Sequence, residues 1–224
     1  MMQNLVLTFH GIGKAPLDIP DAELPYWIPE PDFLSFIAKA KSEAQRLGLR
    51  LSASFDDGNL SDLTVAAPAL IKYGIPGLFF PCSGRIGRPG YLNAAGLRAL
   101  VRQGFAVGSH GVNHLPWASL APNDLTEEVA GSKAVIEAAL GHAITSAAMP
   151  FGSYNRRVLE SLRQAGYQTV YSSDPGFANR NTSFQYRWSY KQGTDFDLAR
   201  LAKISRDPVQ RSIRFAKHMI KSLR

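Results

Sequence analysis

Apolar residues fall along this chain in short runs of about five, each followed by a longer stretch with apolar positions three or four apart. Residues 5–9, 51–55, 77–81, 105–109, 144–149, 168–172 and 184–189 are the short runs and read as strands. Phe33, Ile37, Ala40, Ala44 and Leu47 trace one face of a helix, with Asp32 as its predicted N-cap and Gly48 as its stop. Leu60, Leu63, Ala67 and Leu70 mark a second helix, ended by Gly74. Residues 94–103, stopped by Gly104, form a third. Asn123 or Asp124 is expected to cap a fourth, with Leu125, Val129, Ser132, Ile136 and Leu140 on one face and Gly141 at its end. Residues 155–165 make a fifth. Pro16, Pro20, Pro25, Pro29 and Pro31 predict an irregular loop after the first strand, where Tyr26 and Trp27 either line a groove or pack inward. Strand and helix alternate about seven times, the pattern of a parallel sheet with helices outside it. The expected class is α/β, a closed or nearly closed (β/α) barrel. No G-x-G-x-x-G follows a strand, so a dinucleotide site has no support.

In such a barrel the segments just after the strands share one rim, where active sites of this architecture lie. His10, Asp56, Asp57, His110 and Pro150-Phe151-Gly152 all fall there. Asp56 and Asp57 end the second apolar run, and Gly58 breaks the chain after them. Two adjacent carboxylates at one point repel unless a cation or a shared proton sits between them. The bland alternative is a solvated turn capping the next helix. His110 and His114 are spaced i, i+4, which in a helical turn puts both imidazoles on one face. Two imidazoles and one carboxylate are a common ligand set for a catalytic zinc with a position left for water. On that reading Asp57 ligates, and Asp56 is free to take a proton from the water.

Ser54-Phe55-Asp56-Asp57-Gly58 resembles the first motif, usually T-F-D-D-G, of the polysaccharide deacetylases, the NodB-homology domains of carbohydrate esterase family four. Ser109-His110-Gly111-Val112-Asn113-His114 resembles their second motif, S-H-(S/T)-x-x-H, with Gly111 where Ser or Thr is usual. The resemblance covers roughly residues 51–176 and implies a distorted (β/α) barrel of about seven strands. It implies Asp56 as catalytic base, Asp57, His110 and His114 as ligands of zinc or another divalent metal, and hydrolysis of an N-acyl group, typically acetyl, from an amino sugar or glycan. The backbone N–H of Phe151, in the third motif, would complete an oxyanion hole. Two positions depart from the family pattern. Ala148 stands where an arginine often orients the base, and the family's late histidine, a general acid, has no clear counterpart. His218 lies in an apparent C-terminal helix and His142 before a strand, so His10, on the correct rim, is the candidate acid. Arg187, in the last strand, either takes the place of the missing arginine or is an ordinary surface residue. A second reading of the same site is hydrolysis of a cyclic amide or ureide. A third is a carbohydrate-binding relic without turnover.

Composition refines this picture. The 224 residues suit one domain over the whole length, and 45% apolar content suffices for a core. The N-terminus lacks the features of a signal peptide, and the single Cys82 excludes an internal disulfide, so a cytoplasmic location is expected. Residues 180–224 hold eleven Lys/Arg against three Asp/Glu, which exceeds the whole net charge of +7. Within them, Val209, Ile213, Ala216, Ile220 and Leu223 form a helical stripe with Arg211, Arg214, His218 and Lys221 on the other side. This helix either packs its stripe on the barrel, leaving the basic side in solvent, or meets anionic lipid head groups or a lipid-phosphate-linked glycan. Nucleic acid is not expected, because no aromatic-basic platform accompanies the charge.

Overall fold

The computed structural model of the protein describes residues 3–16, 19, 21–179, 181–193 and 196–223, so Pro20 of the predicted loop lies outside it. The strands are β1 (Asn4–Phe9), β2 (Arg50–Asp57), β3 (Gly77–Pro81), β4 (Ala106–Val107), β5 (Ser146–Ala148), β6 (Thr169–Tyr171), β7 (Phe184–Gln185) and β8 (Trp188–Ser189). They form two parallel sheets, one ordered β4-β3-β2-β1-β8 and one ordered β5-β6-β7. A single parallel bridge between Ser109 and Ala147 joins them on one side. On the other side the chain itself crosses from β7 to β8 through Tyr186 and Arg187. The result is the expected α/β architecture, two parallel sheets linked by one bridge on one side and by the crossing chain on the other. The predicted strand over 184–189 is two strands, because Gln185 pairs with β6 while Trp188 pairs with β1.

The two-residue period of the strands sorts the core. Phe9, Phe55 and Phe79 stand in register on β1, β2 and β3, with ring centroids 5.4 and 5.0 Å apart. All three are fully buried, and Phe33 of helix α1 (Glu30–Arg46) meets Phe9 edge-on at 5.3 Å. Each such ring contributes roughly 1.5–3 kcal/mol of burial free energy. Their strand neighbours point the other way, inward. There Thr8 Oγ1 lies 2.8 Å from Ser54 Oγ, and Asp56 is buried beside them. Alternation thus separates an aromatic outer layer from a polar interior.

Helix α1 starts two residues before the predicted cap: Pro31 fits the first turn, and Asp32 lies inside it near the positive end of the dipole. Helix α2 (Ala67–Tyr73) follows a π-turn over Asp62–Ala66, and α3 (Ala94–Arg102) is capped by Asn93 Oδ1, which accepts from Gly96 N. The predicted fourth helix is α4 (Pro122–Thr126), a π-turn (Glu127–Gly131) and α5 (Ser132–Leu140) in succession. It begins after Ala121 with Pro122, so neither Asn123 nor Asp124 caps it. Helix α6 (Arg156–Gln164) is capped by Asn155. Helix α7 (Leu198–Arg206), capped by Asp197, is an element that the apolar pattern did not reveal.

Helix α8 (Pro208–Leu223) corrects an expectation. Its apolar stripe does not pack on the barrel; Val209, Ile213, Ile220 and Leu223 are exposed. The inward side is the basic one. Lys221 Nζ pairs with Asp174 at 2.9 Å, His218 Nδ1 lies 3.1 Å from Tyr154 Oη, and Arg214 Nη2 donates to Ser205 O at 2.9 Å. Charge partners on the barrel and the carboxyl end of α7 turn the helix this way round. Among the described residues no helix is long and apolar enough to cross a membrane.

Candidate active site and metal centre

Asp57, His110 and His114 converge: one ligand atom from each lies within 4.8 Å of the others. The two imidazoles do not meet on a helix, as their spacing suggested. They sit in the loop after β4, where Gly111 and His114 take left-handed conformations at φ 83° and 58°. Asp57, His114 and Phe151 are the non-glycine residues with positive φ among those described, and all three belong to this rim. Side chains held in that region store strain, which the surrounding structure must offset.

That surrounding structure is visible. The buried Glu128 accepts from the N–H groups of Val112 (2.9 Å) and Asn113 (3.0 Å), and Ser132 Oγ donates to Gly111 O at 2.8 Å. A Cβ on Gly111 would stand 2.4 Å from Glu128 Oε2, which explains why glycine replaces the usual Ser or Thr. His110 Nδ1 donates to Ala148 O at 2.8 Å. A carbonyl only accepts, so Nδ1 carries the proton and the Nε2 lone pair faces Asp56 and Asp57, 3.7 and 4.0 Å away. His114 Nε2 lies 3.7 Å from Asp57 Oδ1, and its Nδ1 lies 3.5 Å from Glu23 Oε1. A carboxylate behind an imidazole in this way fixes its tautomer and orientation.

Electrostatics sharpen the set. Burial raises the Asp57 carboxyl, but His114, His10, His110 and Arg85 outweigh it and hold it below its ordinary value. Burial brings His110 down to about 4, although Asp56 opposes this. For His114 burial acts downward too, yet the hydrogen bond it donates to Glu23 and the charge of Asp57 leave it raised. Two neutral-capable imidazoles, 4.0 and 3.7 Å from an ionised carboxylate, are a donor set that suits one divalent ion with ligand bonds of about 2 Å.

Asp56 is the other half of the site. The buried Arg187 grips it with two parallel bonds, Nη1 to Oδ1 at 2.7 Å and Nη2 to Oδ2 at 2.9 Å. Arg187 also donates to Ser54 Oγ and Ser172 O, both at 3.2 Å, and lies over the ring of Phe80. It is therefore no surface residue, and its guanidinium holds the Asp56 carboxylate from the β7–β8 crossing. Position 148 supplies a carbonyl to His110 instead. Burial pushes the Asp56 carboxyl up, but Arg187 and then His110 overcome that and keep it far below the carboxylate range.

His10 follows β1 on the same rim and is among the groups that lower both aspartates. Its ring lies 4.8 Å from that of Tyr26, and its buried Nδ1 has no partner among the described residues. Of the two aromatics in the proline-rich loop, Tyr26 stands at the mouth, while Trp27 covers Gly11, where an added Cβ would meet the indole at 2.2 Å. Phe151 is exposed just beyond β5 with its ring 4.5 Å from His114. Arg85 Nη1 reaches Asp57 Oδ1 at 3.3 Å, and Cys82 is buried beside the same carboxylate. Sequence reasoning missed Glu23, Glu128, Arg85 and Asp62. The last is fully buried with neither oxygen partnered among the described residues, and burial, then Asp57 and Asp56, raise its carboxyl well above normal.

The polysaccharide deacetylase family matches residues 48–170, more than half of the chain, and the chain belongs to that family. It is 30% identical over 128 residues to YxkH of Bacillus subtilis (strain 168), a curated relative with the same family designation. That alignment covers 57% of this chain and 46% of YxkH, so the chain spans about half the length of this relative. The deacetylase PplD of Streptococcus pyogenes, solved in complex with acetate, superposes with a TM-score of 0.72 at 19% identity, over 92% of this chain and 99% of that one. IcaB from Ammonifex degensii gives 0.68 at 23% identity, over 92% and 96%. These likenesses place the fold.

Proposed function

We propose that the protein hydrolyses an N-acyl group, acetyl in the simplest case, from an amino sugar within a glycan, using zinc or another divalent ion held by Asp57, His110 and His114. The observation that carries this reading is the meeting of those three donors beside a second carboxylate, Asp56, locked by Arg187. When bound, the ion supplies Lewis acidity, polarising the acyl carbonyl and lowering the pKa of a water. The chain does the rest. Asp56 accepts the proton of the attacking water on a carboxylate oxygen, and Arg187 keeps both oxygens oriented while it does so. The N–H of Phe151 donates to the oxygen that gains charge as water adds to the acyl carbon. His10 delivers a proton to the amine nitrogen as the C–N bond breaks, leaving a free amine on the sugar and a carboxylic acid. Tyr26 and Phe151 offer aromatic faces on which a sugar ring rests. The Arg187–Asp56 pair supports Arg187 as the orienting group in place of the arginine absent at Ala148, which weakens the reading of a relic without turnover.

The test is a hydrolysis screen of the zinc-loaded protein on N-acetylated amino sugars, their oligosaccharides and small cyclic amides. Acetate release is the expected result. Ring opening without acetate release assigns the site to cyclic amides, and glycan binding without turnover overturns the enzyme reading.

A further inference from the structure

We propose that α8 is an interfacial helix whose outer face docks the protein on an anionic lipid surface. Val209, Ile213, Ala216, Ile220 and Leu223 lie three or four apart on that face, and their relative exposures include 65% for Val209, 54% for Ile220 and 70% for Leu223. Phe215, 64% exposed, and Met219 widen the stripe. Apolar patches this continuous are uncommon on a free surface and mark a contact. The opposite face is already engaged through Arg214, His218 and Lys221, so the polar latch to the barrel holds the apolar side outward. With 16 residues the helix falls short of the ~20 that a membrane span needs, and it lies along the surface instead.

Charge selects the occupant. Helix α8 contains no acidic residue, and the exposed Arg211 and Lys217 flank its stripe. Arg200, Lys203 and Arg206 of α7 are exposed nearby. A second copy of the chain meeting through this face in a two-fold contact would bring the same cations together. Anionic head groups neutralise them, while the aliphatic side chains enter the acyl boundary. The Lys221–Asp174 and His218–Tyr154 contacts put the last turns of α8 beside the segments after β6 and β5, so a docked helix carries the catalytic rim next to the lipid.

The metal-loaded full chain is floated with vesicles of phosphatidylcholine alone or mixed with phosphatidylglycerol. The expected result is flotation with the anionic vesicles only, weakened by high salt. Val209→Glu with Ile220→Glu lowers partitioning about tenfold or more. Arg211→Glu with Lys217→Glu lowers it about fivefold for each cation removed. All four side chains are exposed, so melting temperature and metal content stay unchanged in both variants, which separates lost docking from lost fold. Absence of flotation with anionic vesicles overturns the proposal, as does flotation indifferent to both variants. Self-association without lipid that Val209→Glu with Ile220→Glu abolishes also overturns it and assigns the face to a second copy.

Discussion

At the scale of single residues, the two adjacent aspartates have different neighbours, Asp57 the two imidazoles and Asp56 the guanidinium of Arg187, and the proposed roles follow that division. Asp57 sits at φ 77°, a conformation that Asn shares and Ala resists, so Asp57→Asn is the variant that isolates its charge. It removes the anionic member of the donor set, and bound zinc measured after dialysis falls together with activity. Asp56→Asn keeps the shape and spares the donor set; zinc is retained while the rate drops roughly 10²–10⁴-fold. Equal zinc loss in the two variants would place both carboxylates on the ion. Asp62 invites a different measurement. Its raised pKa means that the folded chain keeps a proton that the unfolded chain releases above ~3.9. Stability of the metal-free protein therefore falls as pH rises through that window toward the folded value. Asp62→Asn, neutral at every pH, raises the melting temperature near pH 7, by about 2–4 °C per kcal/mol recovered, and the gain shrinks toward pH 4. The paired aspartates and the two histidines were legible because their chemistry is written in adjacent or near-adjacent letters. Glu23, Glu128 and Arg187 were harder to read: each meets the site from a distant part of the chain, Arg187 across 131 positions from Asp56.

At the scale of elements, spacing foretold the strands better than it foretold how the histidines meet. An i, i+4 pair suggests a helical turn, but the loop after β4 brings the rings together through left-handed Gly111 and His114, stapled by Glu128. Periodicity carries no signal for such a loop, since its shape depends on a carboxylate from another element. Gly111→Ser, which restores the letter usual in the family's motif, is expected to destabilise this protein. The left-handed backbone alone costs roughly 1–2 kcal/mol for a residue with a Cβ, and the close approach to Glu128 adds to that. Chemical denaturation reads the loss, and zinc titration reads the loosened loop. Helix boundaries slipped for a related reason. Pro31 and Pro122 took first-turn positions ahead of the side chains that looked like caps, and π-turns absorbed residues that a regular period would have misplaced.

At the scale of the whole molecule, alternating strands and helices made the parallel α/β plan readable, whereas its division into two sheets was not. Nothing in the run 184–189 announces that Tyr186 and Arg187 step from one sheet to the other, because the step is decided by partners on β6 and β1. Nor does a helical stripe say which way it faces; the inward turn of α8's basic side depends on Asp174 and Tyr154. The opposite junction is narrow, with Ser109 N donating to Ser146 O at 3.0 Å and Ala148 N to Ser109 O at 2.8 Å. His110 adds its own bond to Ala148 O there, while its free nitrogen faces Asp57 on β2. An ion shared by His110 and Asp57 would therefore tie the segment after β4, the edge of the larger sheet, to β2 at the centre of that sheet, and through the bond to Ala148 O it would steady β5 of the smaller sheet. Amide hydrogen exchange at Ser109 and Ala148 should slow on addition of zinc while that of Phe9 and Phe55, deep in the larger sheet, hardly changes. The barrel of the metal-free protein would open first along this line, like a cuff along its fastening.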